Sequence, residues 1–221
     1  MPVFPSTSAD AQIVALNPTA SSRGLVLDDE QWLGDEHILR DYQLLEQDLL
    51  RHPLDIPTLD IAARTRLVDP TVAHNLLRSP NDTVVELALQ RIVYDDNGND
   101  TADFLFLPVN DADPTDPRCQ GNHWSLLFVD RRDRNSPIAY HYDSFWGFNE
   151  TSADHLAGRL GLPGDSVQAG MAQQQNGWDC GVFVVDGTRA LVRGLVAGQR
   201  GLQNLSNLSV SRPALQTRLR G

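Results

Sequence analysis

The chain changes its hydrophobic pattern near residue 104. Before that point apolar side chains recur every three or four residues, and after it they run together. From Glu36 to Arg51, Ile38, Leu39, Tyr42, Leu45, Leu49 and Leu50 fall at near-helical spacing, with Asp35 placed to cap the start. Pro53 and Pro57 then break the chain, and 58–68 carries no clear period. Pro70, followed by Val72, Leu76 and Leu77, predicts a short helix. A second helix is predicted over Val84–Val93, after the turn at Ser79-Pro80-Asn81-Asp82. Strands are predicted at Phe104–Val109, Trp124–Val129 and Ile138–Tyr142. The last two read as neighbours joined by 130–137. A helix over Thr151–Leu160 with Ser152 as its cap, a strand over Val167–Met171 and a helix over Cys180–Val196 complete the pattern. The ends differ from the body. Residues 1–27 are rich in Ser, Thr, Ala and Pro and read as a flexible arm. Residues 198–221 show little periodicity and read as a flexible tail, which leaves 28–197 as one folded unit.

Composition narrows the setting. With 221 residues, 41% apolar and 21% charged, the chain can build one sizeable soluble core. No run approaches the length of a membrane span, and Met1-Pro2-Val3-Phe4-Pro5 lacks the character of a signal peptide. Cys119 and Cys180 are too few for a disulfide scaffold, which points to a reducing compartment. Cys119 reads as an incidental loop thiol. A net charge of −11 argues against nucleic acid and anionic membranes and permits a partner with a basic face. No metal or cofactor is expected, and the protein is expected to be a monomer. All 18 basic residues are arginine. A GC-rich genome gives this through codon usage. So does a working environment in which lysines are tagged by ubiquitin-like conjugation, and the two readings are compatible.

The candidate chemistry lies in Gln173-Gln174-Gln175-Asn176-Gly177-Trp178-Asp179-Cys180-Gly181. This polar turn delivers a cysteine to the start of an apolar helix, where free N–H groups and the dipole stabilise a thiolate. His123 stands just before one strand and Asp143 at the end of the next, so neighbouring strand ends can bring imidazole and carboxylate together. Asp143 would fix the tautomer of His123, which would take the proton of Cys180 and return it to a leaving group. Gln174 and the backbone N–H of Cys180 would bind an oxyanion, each donor worth about 3–4 kcal/mol. A lone cysteine before an apolar helix is ordinarily a core residue, and a lone histidine at a strand edge is ordinarily structural. Their occurrence together with the glutamine-rich turn is what points to nucleophilic catalysis.

These same residues carry a resemblance. His123-Trp124, Tyr142-Asp143-Ser144 and the stretch from Gln174 to Gly181 resemble the motifs of the ubiquitin-like-protein-specific cysteine proteases, the deSUMOylating and deneddylating enzymes of the papain-like clan. Trp32-Leu33-Gly34-Asp35 is similar to the family's opening Trp-Leu-x-Asp. Residues 106–111 and 123–127 are close to the deneddylase branch. Residues 32–38 resemble instead the type III secreted effectors of plant-associated bacteria, of the XopD and NopD kind. The resemblance covers residues 28–196 and is weakest over 52–102. It implies an α+β, papain-like fold: a small central mixed sheet flanked by helices, with the cysteine at the N-terminus of a buried helix. It implies His123, Asp143 and Cys180 as a triad, with Gln174 as oxyanion donor. Trp32 and Trp124 would wall a narrow tunnel for a Gly-Gly terminus, and Asp35 would hold the tail at its mouth. Trp146 and Phe148 read either as core or as an exposed rim. The resemblance further implies a thiol isopeptidase and endopeptidase acting on SUMO, with NEDD8 as the alternative. It also implies secretion by a bacterium into the nucleus or cytoplasm of a host. Two rivals come from other classes. Effector acetyltransferases share the Asp-Cys-Gly turn but carry glutamate where Asp143 stands and lack the tryptophan pair. A non-catalytic binder of ubiquitin-like proteins has no need of the whole Cys/His/Asp/Gln set.

Overall fold

In a computed structural model the described residues are 25–51, 56–95, 97–112, 121–199 and 203–221. The segment 1–24, which holds most of the expected arm, and Cys119 lie outside them. The elements in order are α1 (Asp35–Leu50), α2 (Ile56–Arg64), β1 (Thr65–Leu67), α3 (Pro70–Arg78) and α4 (Asp82–Val93). They continue with β2 (Phe104–Asn110), β3 (Trp124–Asp130), β4 (Ile138–Tyr142), α5 (Glu150–Arg159), β5 (Val167–Ala169), α6 (Cys180–Val196) and α7 (Arg212–Arg220).

The five strands form one sheet in chain order. The central pairs β2–β3 and β3–β4 are antiparallel, whereas β1 and β5 join the two sides in parallel. The sheet is mixed and lies between two helical layers, as the fold class expected. Successive strand side chains point to opposite faces. Phe104, Phe106, Leu126, Phe128, Tyr140 and Tyr142 therefore share a core with α1, α6 and α7. Leu105, Leu107, Val109, Leu127, Val129 and Ala139 share a second core with α3, α4 and α5. Burial on both faces explains why the strands read as unbroken apolar runs rather than alternating ones.

Several expectations are corrected. The stretch without a clear period, 58–68, holds most of a helix and the short edge strand β1. Asp35 is the first helical residue of α1 and not its cap. Gly34 takes that place, and its N–H donates to His37 Nδ1 at 3.0 Å. In α5 the cap is Asn149, three residues before Ser152.

The largest correction concerns 198–221, expected to be a flexible tail. Leu205 pairs with Met171, and α7 buries Leu215 and Leu219 in the α1–α6 core. The tail has little apolar periodicity because arginines do much of the holding. Arg218 of α7 and Arg189 of α6 both donate to Asp41 of α1, at 2.7 and 2.8 Å, and Asp41 is fully buried. A buried carboxylate is tolerable only with such partners. The expected arm is also shorter than 1–27. Leu27 is a core residue, and the Leu25 N–H donates to the Leu219 carbonyl at 3.0 Å.

Candidate active site

The three residues of the expected triad come from three elements and meet at one end of the sheet. His123 immediately precedes β3, and Asp143 immediately follows β4. Antiparallel pairing sets Leu126 against Tyr142, so the start of β3 lies beside the end of β4. His123 Nε2 and Asp143 Oδ1 are 2.6 Å apart, and both side chains are buried. Asp143 also accepts the Phe145 N–H at 2.9 Å and the Asn149 N–H at 3.1 Å. Burial alone would raise the Asp143 pKa, but the bonds and charge of His123 and these amides hold it below the usual carboxylate range. Burial would likewise lower the His123 pKa. Its bonds to Asp143 and Cys180 and their charges win, and it is raised to about 9. With Nε2 on the carboxylate, Nδ1 is the nitrogen left to face Cys180.

Cys180 is the first residue of the 17-residue α6 and is 2% exposed. Among the described residues no side chain caps this helix. Asp179 stands at the cap position, but its carboxylate is turned away: Oδ1 accepts from Arg212 Nε at 2.7 Å and Oδ2 from Asn176 Nδ2 at 2.8 Å. The N–H groups that begin α6, including that of Cys180, are thereby left for another acceptor. Gln174 lines the same cleft as His123. Its Oε1 accepts from Ser144 Oγ at 2.8 Å, and its Nε2 donates to the Asn176 carbonyl at 2.8 Å. One N–H of the amide remains, since a primary amide carries two.

The expected substrate residues line a cleft of about 670 Å³, which runs from Trp32, Gly34 and Asp35 past Trp124 to Cys180. Trp32 is 50% exposed. Trp124 is 7% exposed and donates from Nε1 to the Leu33 carbonyl at 2.9 Å, so it serves core and cleft at once. Asp35 accepts from Thr71 Oγ1 at 3.3 Å, and partial burial raises its pKa. Gly181 lets the 32–34 segment lie against α6. A Cβ there would meet Leu33 Cβ at 2.7 Å. The sequence left Trp146 and Phe148 undecided between core and rim. Both are exposed, and Phe148 sets its ring edge-on to His123 with centroids 5.0 Å apart.

Sequence reasoning missed three residues. Asn149 donates through Nδ2 to the carbonyls of Val109 and His123, at 3.2 and 3.4 Å, and so ties both strands to the Asp143 turn. Its place before a Glu-Thr-Ser helix start was a usable signal. Asp111 accepts the N–H groups of Asn122 and His123 at 2.7 and 2.9 Å. Arg212 is buried and also donates to the carbonyls of Trp178 and Asp28, at 3.0 and 2.8 Å. No local pattern marked it.

No family model matches the chain. Among curated relatives, the NEDD8-specific protease 2 of Schizosaccharomyces pombe is 29% identical over 166 residues, 73% of this chain and 36% of that protein. Sentrin-specific protease 8 of Homo sapiens is 36% identical over 124 residues, 53% of this chain and 54% of that protein. The chain thus spans about a third to a half of the length of these two relatives. Among solved structures, the effector protein XopD of Xanthomonas campestris bound to ubiquitin superposes with a TM-score of 0.74. It is 26% identical and covers 93% of this chain and 98% of its own. The yeast Ulp1 protease domain in complex with Smt3 gives a TM-score of 0.53 at 17% identity over 87% of this chain and 75% of its own, a likeness of fold. In its fold, in the meeting of cysteine, histidine and aspartate, and in these likenesses together, the chain is similar to the ubiquitin-like-protein-specific cysteine proteases.

Proposed function

We propose that the protein cleaves after the C-terminal Gly-Gly of a ubiquitin-like protein, and that SUMO on host proteins is its first substrate. The observation that carries this reading is the cleft from Trp32 to Cys180, walled by indoles and ending at a cysteine whose partner histidine is held by Asp143. Two glycines have no side chains, so flat indole faces clamp them and exclude bulkier sequences.

The chemistry follows from the geometry. Cys180 Sγ attacks the carbonyl carbon of the terminal glycine while His123 holds the proton. The developing oxyanion takes hydrogen bonds from the Cys180 N–H and the remaining Gln174 N–H. The C–N bond breaks, and the His123 proton goes to the leaving nitrogen. Water then attacks the thioester with His123 as base, the S–C bond breaks, and the glycine carboxylate departs.

The whole-length structural likeness to the effector XopD favours the effector reading, and delivery into a host cell is part of this proposal. The NEDD8-specific relatives support deneddylation as the second reading. The test is a panel of SUMO, NEDD8 and ubiquitin, each with a C-terminal electrophile. An adduct with SUMO alone, absent in Cys180→Ala, is the expected result. An adduct with NEDD8 or ubiquitin instead keeps the mechanism and changes the substrate. No adduct with any of them overturns the proposal.

A further inference from the structure

The turn after Asp143 presents three large aromatic side chains to solvent. Phe145 is 54% exposed, Trp146 67% and Phe148 47%. An exposed aromatic cluster of this kind ordinarily marks a contact surface. Its backbone is firmly placed: the Phe145 N–H is held by Asp143 Oδ1 at 2.9 Å, and the Trp146 N–H by Gln173 Oε1 at 2.9 Å. Phe145 and Phe148 set their rings edge-on to His123, with centroids 6.2 and 5.0 Å away. Facing them across a cleft of about 580 Å³ is the loop of Gln174, Gln175, Asn176 and Gly177. Among the described residues this cleft shares Asn122 and His123 with the one that holds Trp32 and Cys180.

We propose that this second cleft receives the leaving side of the scissile bond: the alkyl stem of the modified lysine, with Trp146 taking an apolar side chain next to that lysine in the acceptor protein. The inference rests on the reading of the site as a Gly-Gly protease. If the tail of the ubiquitin-like protein fills the Trp32 cleft, the group that takes the His123 proton must lie on the other side of the imidazole, where this cleft begins. The lining fits such an occupant. A lysine in an isopeptide bond is uncharged, so its methylenes suit aromatic walls and its amide suits the facing side-chain amides. Among the described residues the lining carries no ionisable side chain apart from His123. Once cleaved, the lysine becomes an ammonium that finds no carboxylate among these described residues, which favours its departure.

The test compares wild type with Trp146→Ala, an exposed side chain whose loss leaves the backbone bond to Gln173 intact. Three probes of one ubiquitin-like protein are used: a C-terminal electrophile, an isopeptide-linked lysine peptide with leucine beside the lysine, and the same peptide with glycine there. Trapping by the electrophile should be unchanged in the variant. Turnover of the leucine peptide, as kcat/KM, should fall about three- to tenfold, the scale of one lost aromatic contact, and that of the glycine peptide should hardly move. Equal turnover of both peptides by variant and wild type overturns the inference. Failure of wild type to be trapped overturns instead the reading on which it rests.

Discussion

His123 is where the electrostatics of the site can be tested. It stays protonated from its ordinary 6.5 up to about 9 because Asp143 and Cys180 outweigh its burial. Turnover should therefore persist through neutral pH and fall as pH passes about 9, where the proton owed to the leaving nitrogen is lost. The same pair contributes to folding with opposite signs at its two ends. The raised His123 pKa gives stability that is full below 6.5 and lost as pH rises toward about 9. The lowered Asp143 pKa gives stability that is present above 3.8 and lost in stronger acid. Asp143→Asn keeps the shape and removes the charge. It should lower kcat by about a hundredfold or more and move the alkaline limb down toward 6.5. A pH–rate profile decides, and an unmoved limb would show that Asp143 does not hold the imidazolium.

At the level of elements, the start of α6 matters most. It is uncapped, buried and pressed against the 32–34 segment through Gly181. Gly181→Ala should cost roughly 1–3 kcal/mol by overpacking against Leu33. It should also slow electrophile trapping, because Leu33 lies between Trp32 and the Trp124 hydrogen bond; thermal melts and trapping rates together report both. Elements such as β2, β3, β4 and α6 were legible because long apolar runs bounded by polar turns leave few alternatives. The meeting of His123, Asp143 and Cys180 was legible because strand order places His123 beside Asp143, and a cysteine opening an apolar helix stands out. The short strands β1 and β5 were harder, since three residues carry too little period and their pairing is set by distant partners. Helix α7 was missed because it is fastened by arginine pairs rather than by a broad apolar stripe. The Gly34 and Asn149 caps were missed because competing Asp and Ser residues stood nearby, and packing chose between them.

Across the whole molecule, the C-terminal helix reaches the turn before Cys180. Arg212 joins Asp179, Trp178 and Asp28, and Asp179 joins Asn176, whose carbonyl holds Gln174. Arg212→Met would free Asp179 to cap α6 and place its charge beside Cys180. We expect a loss of about 1–3 kcal/mol in stability and a fall in kcat with KM nearly unchanged, partly restored by Arg212→Lys. Equal rates in the methionine variant would show the contact to be purely structural. The meeting of Leu25 with Leu219 also has a mechanical side. Tension applied between those two positions would load a single hydrogen bond first and then peel α7 from α1. Arg212, tied at once to the 25–28 side and to the turn before Cys180, is where that load would pass into the 176–179 loop. A pull on Leu25 and Leu219 would thus reach the turn before Cys180 through Arg212.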